Sequence, residues 1–76
     1  AEEYHANGKL SYKQNYKDGK LEGLAEWYYE DGQLEKKGNF KDGKEEGLWE
    51  VFDEDGNLTT TFTYTNGELV EENNNP

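Results

Sequence analysis

The stretch LEGLAEWYYEDGQLEKKGNF, Leu21–Phe40, decides the fold. At its middle stands Asp31-Gly32, with alternating side chains on either side. A two-residue reversal needs positive φ at both central residues. Asp tolerates that and Gly adopts it freely, so the pair predicts a β-hairpin. The same kind of dipeptide recurs at Asn7-Gly8, Asp18-Gly19, Asp42-Gly43, Asp55-Gly56 and Asn66-Gly67. These glycines are 11, 13, 11, 13 and 11 residues apart, which sets a repeat of 24. Leu10, Leu34 and Leu58 keep that step, as do Tyr16, Phe40 and Tyr64, and Tyr4, Tyr28 and Phe52. A fixed period of this size marks an array of stacked supersecondary units.

The expected fold is all-β: a single-layer antiparallel meander of about six or seven strands, built from 24-residue hairpin repeats, coiled and open-ended. Residues 1–72 are expected to form one repeat domain, with repeats at about 4–27, 28–51 and 52–72, and residues 73–76 a polar tail. If all six reversals hold two residues, the register follows. Leu10 then faces Trp27, Tyr12 faces Ala25 and Tyr16 faces Leu21. Tyr29 meets Leu34, Trp27 meets Lys36, Ala25 meets Gly38, and Gly23 meets Phe40. Further on, Leu34 meets Val51, Gly38 meets Gly47, Trp49 meets Phe62, Asp53 meets Leu58, and Tyr64 meets Leu69. Lys36 would cross both Trp27 and Trp49.

These pairs gather Leu10, Tyr12, Tyr16, Leu21, Ala25, Trp27, Tyr29, Leu34, Phe40, Trp49, Val51, Leu58, Phe62, Tyr64 and Leu69 on one face, the expected core. A slip of one residue would send every one of them to the other side. Gly23 and Gly47 lie inside strands, where glycine marks a bend. The sheet is expected to coil there until the core face closes on itself. Helix is disfavoured by the frequent glycines and by the run Thr59–Thr65, TTTFTYT.

The opposite face carries Lys13, Glu22, Glu26, Glu35, Lys37, Glu46 and Glu50. Through these charges runs a second apolar row: Tyr4, Leu24, Tyr28, Leu48 and Phe52. One reading makes it a docking stripe for a protein partner. The other makes it a minor second core under the stems of Lys13 and Lys37.

Composition narrows the function. The 76 residues fit one domain, and only 30% are apolar. Aromatic residues, at 14%, stand in for the missing aliphatic core. Cysteine is absent, which removes disulfides and thiolate metal sites. Net charge is −10, and all eight lysines lie within residues 1–44. Such a surface repels nucleic acid and disfavours anionic membranes. It favours a basic protein partner, or simply keeps a single-layer sheet in solution. Glu2-Glu3 and Glu71-Glu72 blunt the two sheet edges, although an open edge also allows pairing with a second copy.

Catalysis is not expected, and no cofactor or metal is expected either. There is one histidine, His5, and one serine, Ser11. Asp53–Asn57 superficially resembles a calcium loop, but Val51 and Phe62 fill the first and twelfth ligand positions. No glycine-rich phosphate loop precedes a helix. The lack of methionine is read as a start that was processed or cut from something longer. No targeting segment or membrane-spanning run is visible, and the compartment stays open between cytoplasmic and exported.

Tyr28-Tyr-Glu-Asp-Gly-Gln-Leu34, followed by Gly38-Asn-Phe-Lys-Asp-Gly-Lys-Glu-Glu-Gly-Leu-Trp49, resembles the bacterial variant of the MORN repeat (membrane occupation and recognition nexus). The resemblance covers about residues 4–69. It implies stacked hairpins used for protein interaction, and some bacterial relatives are antitoxin or immunity components. The first copy departs from the pattern at Gln14 and Ala25, the third at Glu71. Trp27-Tyr-Tyr-Glu-Asp-Gly-Gln-Leu34 is also similar to choline- or glucan-binding cell-wall repeats, which implies aromatic cages between hairpins. Two functions therefore stand side by side: a non-catalytic protein-interaction module of antitoxin or immunity type for a basic partner, and a surface ligand-binding array.

Overall fold

The structure, a computed structural model, describes residues 2–74. The strands are β1 (Glu2–Tyr4), β2 (Leu10–Lys13), β3 (Tyr16–Lys17), β4 (Lys20–Leu21), β5 (Gly23–Tyr28), β6 (Leu34–Lys41), β7 (Lys44–Phe52), β8 (Leu58–Thr65) and β9 (Glu68–Asn74). Seven form one antiparallel sheet in the order β1-β2-β5-β6-β7-β8-β9, and β3-β4 is the tip of the first long hairpin. Neighbours in the sheet are neighbours in the chain, so this is a meander. The Cα extents of 37 × 34 × 12 Å are those of a single twisted layer.

The face expected to close on itself stays open. Closure would bring β1 against β9, and both carry acid: Glu2 and Glu3 on one, Glu68, Glu71 and Glu72 on the other. Like charges across a strand pair oppose that contact. Asn73 and Asn74, set apart above as the start of a polar tail, pair with Thr61 and Thr60. Asn75 and Pro76 lie outside the described residues.

The six reversals are of two kinds, not one. Asp18-Gly19, Asp42-Gly43 and Asn66-Gly67 have positive φ at both residues, as two-residue turns require. At Gly8, Gly32 and Gly56 only the glycine is positive. There the loop holds three residues and ends in a glycine bulge. The Gly32 amide donates to the Tyr29 carbonyl at 2.9 Å, and the Tyr29 amide donates to the Gln33 carbonyl at 2.8 Å. His5–Lys9 and Asp53–Asn57 repeat this pattern. The Asp31 side chain accepts the Gln33 amide at 2.9 Å, which stabilises the wide form locally.

The wide loops move the register at their end of the sheet by one residue. Tyr4 pairs with Leu10, Tyr28 with Leu34, and Phe52 with Leu58. The expected pairs Tyr29–Leu34 and Asp53–Leu58 are not formed. Opposed side chains share a side, so Leu10, Leu34 and Leu58 stand beside Tyr4, Tyr28 and Phe52 and leave the ring face.

A second correction comes from Gly23 and Gly47, with φ of 83° and 78°. Each lets its strand slip by two residues. Tyr16 faces Leu21 as expected, but Tyr12 faces Trp27 and not Ala25. Phe40 faces Glu45, while Val51 faces Lys36 and not Leu34. The shift falls between Lys37 and Asn39, so the expected Gly38–Gly47 pair is not formed, and the Trp49 ring lies over Gly38 instead. A two-residue slip preserves the alternation of sides, so the ring face survives although several of its pairs do not. Trp27–Lys36, Ala25–Gly38, Gly23–Phe40, Trp49–Phe62 and Tyr64–Leu69 form as the sequence predicts.

Trp49 is the centre of what core there is. Trp49 and Ala25 are the buried apolar side chains among the described residues, 6% and 1% exposed. The indole lies flat on Gly38, where a Cβ would stand 2.0 Å from its ring. Phe40 and Tyr64 meet it edge-on at centroid distances of 5.1 and 6.0 Å, and Trp27 lies 5.6 Å away. Such contacts contribute about 0.5–1.5 kcal/mol each beyond area burial. The buried Nε1 donates to the Asn39 carbonyl at 3.2 Å. Lys36 reaches over Trp27 with its ammonium 4.6 Å from the ring centroid. It faces Val51 on the next strand, so the expected crossing of Trp49 is absent.

Candidate functional site

The outer face, opposite the rings, is built of three rows. The middle row runs across the strands as Lys13, Glu26, Lys37 and Glu50, each paired with the next. Signs alternate along it, which suits direct cross-strand neighbours. The Lys37–Glu50 contact is 3.8 Å and solvent-exposed, so it contributes little on its own.

On the side of the two-residue turns lie Leu24 on β5 and Leu48 on β7. Their inward neighbours Ala25 and Trp49 are buried, and alternation turns the leucines outward. They are 46% and 54% exposed. On the side of the wide loops, Tyr4, Tyr28 and Phe52 sit at the strand ends. Tyr4 is exposed and the other two are half-buried. Tyr28 leans toward Glu26: partial burial first, then that carboxylate and its hydrogen bond, raise the phenol above its ordinary value. The five stripe residues thus flank the charge row from both sides. The leucines are about half exposed, and Tyr4, Tyr28 and Phe52 are paired with Leu10, Leu34 and Leu58.

Two sets of contacts join the repeats. At the two-residue turns, the Asp42 amide donates to the Glu22 carboxylate at 3.3 Å, and the Asn66 amide to Glu46 at 3.0 Å. Gly43 and Gly67 donate to the carbonyls of Leu21 and Glu45. At the wide loops, His5 Nε2 lies 2.8 Å from the Tyr28 carbonyl, and the Tyr29 hydroxyl donates to the Phe52 carbonyl at 2.7 Å. Burial, then the carboxylates of Glu35, Glu54, Asp53 and Asp31, raise the Tyr29 phenol and keep it a donor. Sequence reasoning passed over these joints, although Glu22-Gly23 and Glu46-Gly47 recur at the repeat distance.

His5 and Asp53 serve local structure. His5 is held by a main-chain carbonyl. Asp53 turns onto its own loop and accepts from the amides of Asp55 and Asn57 at 2.9 and 3.0 Å. Those bonds, Asn57 first, hold its carboxyl below the ordinary carboxylate range. Among the described residues no three of His, Asp and Glu converge as metal ligands. The rings of Trp27, Phe40 and Trp49 pack on one another, and Lys36 occupies the face of Trp27, so these three rings leave no open cage between them.

The chain is an open antiparallel repeat sheet with an exposed leucine on the outer face of each of its first two units. The chain belongs to the MORN repeat variant family, which it matches over residues 1–18, 21–42 and 45–66. The matched segments meet at the two-residue turns around Gly19 and Gly43. MORN repeats are non-enzymatic modules that bind proteins or membranes. No curated protein and no solved structure matches the chain.

Proposed function

We propose that this chain is a protein-interaction module that docks a basic partner on its outer face, through Leu24 and Leu48 at the centre and Tyr4, Tyr28 and Phe52 at the margin. The observation that carries the reading is the exposure of one leucine in each of the first two repeats, at 46% and 54%, on the face the fold does not need for its ring cluster. Exposed apolar side chains set among charges are the usual anatomy of a docking surface. The net charge of −10, with no base beyond Lys44, selects a cationic partner and speeds its encounter. An antitoxin or immunity-type role, neutralising a basic protein, is the form of this function that the family resemblance suggests.

The test compares the wild-type chain with Leu24→Asp/Leu48→Asp as immobilised bait in extract of the source cell, over a salt series. The wild type should retain a basic protein at low salt and release it as salt rises, and the variant should not retain it. Circular dichroism should show both baits equally folded. Equal capture by two folded baits would reject the outer face as the docking surface.

A further inference from the structure

The two kinds of joint that link the repeats stop at β9. The position that holds Glu22 and Glu46 in the first two repeats holds Val70 in the third, so no carboxylate waits for the amide of a further turn. The position of Gly23 and Gly47 holds Glu71, which is not in the positive-φ region. The strand there slips by one residue where the others slip by two, and Thr63 faces Glu71 and Phe62 faces Glu72. The position of His5 and Tyr29 holds Asp53, whose side chain serves its own loop. β9 thus presents a seven-residue outer edge without the side chains that seat one repeat on the next.

We infer that the outer edge of β9 receives an extended, lysine-rich segment of another protein as an added strand. Main-chain donors and acceptors along an unpaired edge supply the affinity in this mode, and flanking side chains choose the occupant. Here the flanking side chains are Glu68, Glu71 and Glu72, and the last lysine, Lys44, lies on β7. A second copy is disfavoured as occupant, because β9 against β9, or β9 against Glu2 and Glu3 of β1, sets carboxylate against carboxylate. Leu69 and Val70, 50% and 60% exposed, add apolar surface beside this edge. The partner class is the one proposed above, but the surface is different and does not depend on Leu24 or Leu48.

The test uses an acetylated heptapeptide of alternating lysine and valine, titrated at low salt into the full chain. Binding is followed by amide exchange and by calorimetry. Two further peptides carry N-methyl groups, one on the lysine amides and one on the valine amides. In an added strand only one alternating set of amides faces β9. One methylated peptide should therefore lose at least about tenfold in affinity, while the other matches the parent. Glu68→Gln/Glu71→Gln/Glu72→Gln should weaken the parent peptide by a similar factor. Amides of β9 should gain protection, and Leu24→Asp/Leu48→Asp should change nothing. Equal binding by all three peptides would mean electrostatic adhesion without strand addition. That result, absence of binding, or a dimer that forms through β9 in place of the peptide complex would each overturn the inference.

Discussion

Gly38→Ala probes the seat of the ring cluster. A Cβ there would stand 2.0 Å from Cδ2 and 2.2 Å from Cε2 of Trp49. Carbon atoms in ordinary contact lie about 3.5–4.0 Å apart, so the indole must retreat by about 1.5 Å. Phe40, Trp27 and Tyr64 hem it in at 5.1, 5.6 and 6.0 Å, and its Nε1 is tied to Asn39. Gly38 is not in the positive-φ region, so the backbone alone would favour Ala by about 0.4–1 kcal/mol. The clash decides the sign, because overpacking costs about 1–3 kcal/mol and the displaced indole also loses burial. A net loss of about 2 kcal/mol is expected, a large share of the stability of a domain this small. At about 4–8 °C per kcal/mol, the melting temperature should fall by about 8–16 °C.

Urea titration followed by circular dichroism and tryptophan fluorescence reads this loss. Trp49→Ala supplies the control. It should cost about 3–5 kcal/mol by itself. Adding Gly38→Ala to that background should cost nothing, since the ring it strikes is gone. A Gly38→Ala variant within about 0.5 kcal/mol of wild type, or one equally harmful with and without the indole, would refute the stacking argument.

The repeat joints and the acidic loop give two more tests. Glu46→Ala should cost about 1 kcal/mol and speed exchange of the Asn66 amide, whereas Glu46→Gln, which keeps an acceptor, should do less; equal effects would mean the joint is idle. Asp53 has its folded pKa below the ordinary carboxylate value of 3.8, so its contribution is present above that value and is lost as pH falls through the folded one. Between about pH 5 and pH 3 the wild-type melting temperature should therefore fall further than that of Asp53→Asn, and parallel curves would contradict the loop geometry.

Gly38 and Trp49 belong together because the indole lies where a Gly38 Cβ would stand. The first repeat has Gln14 and Ala25 at the same two places. The Gly38–Trp49 contact was not visible in the sequence, because a two-residue register set Gly38 against Gly47. The slip that corrects it comes from positive φ at Gly47, and φ is not written in a residue list.

The outer stripe was legible for a similar reason and incomplete for the same one. Alternation places Leu24 and Leu48 opposite the buried Ala25 and Trp49 whatever the slip, provided the slip is even. Tyr4, Tyr28 and Phe52 lie past the wide loops, where a shift of one residue gives them Leu10, Leu34 and Leu58 as partners. Asp-Gly fits both the narrow and the wide reversal, so the dipeptide alone could not tell them apart.

What the amino-acid order determined was the class of fold: hairpins every dozen residues or so, a 24-residue period, rings on a common side, and acid along the margins. Those features are local, set by turn chemistry and a side-chain period of two, and they need no knowledge of neighbours. Only the tertiary structure decided which residues touch across strands, where the indole lies, whether the sheet closes, and which edge lacks the joints of the others. These depend on bulges and backbone angles that are chosen by packing between repeats, where a single displaced residue changes every partner downstream.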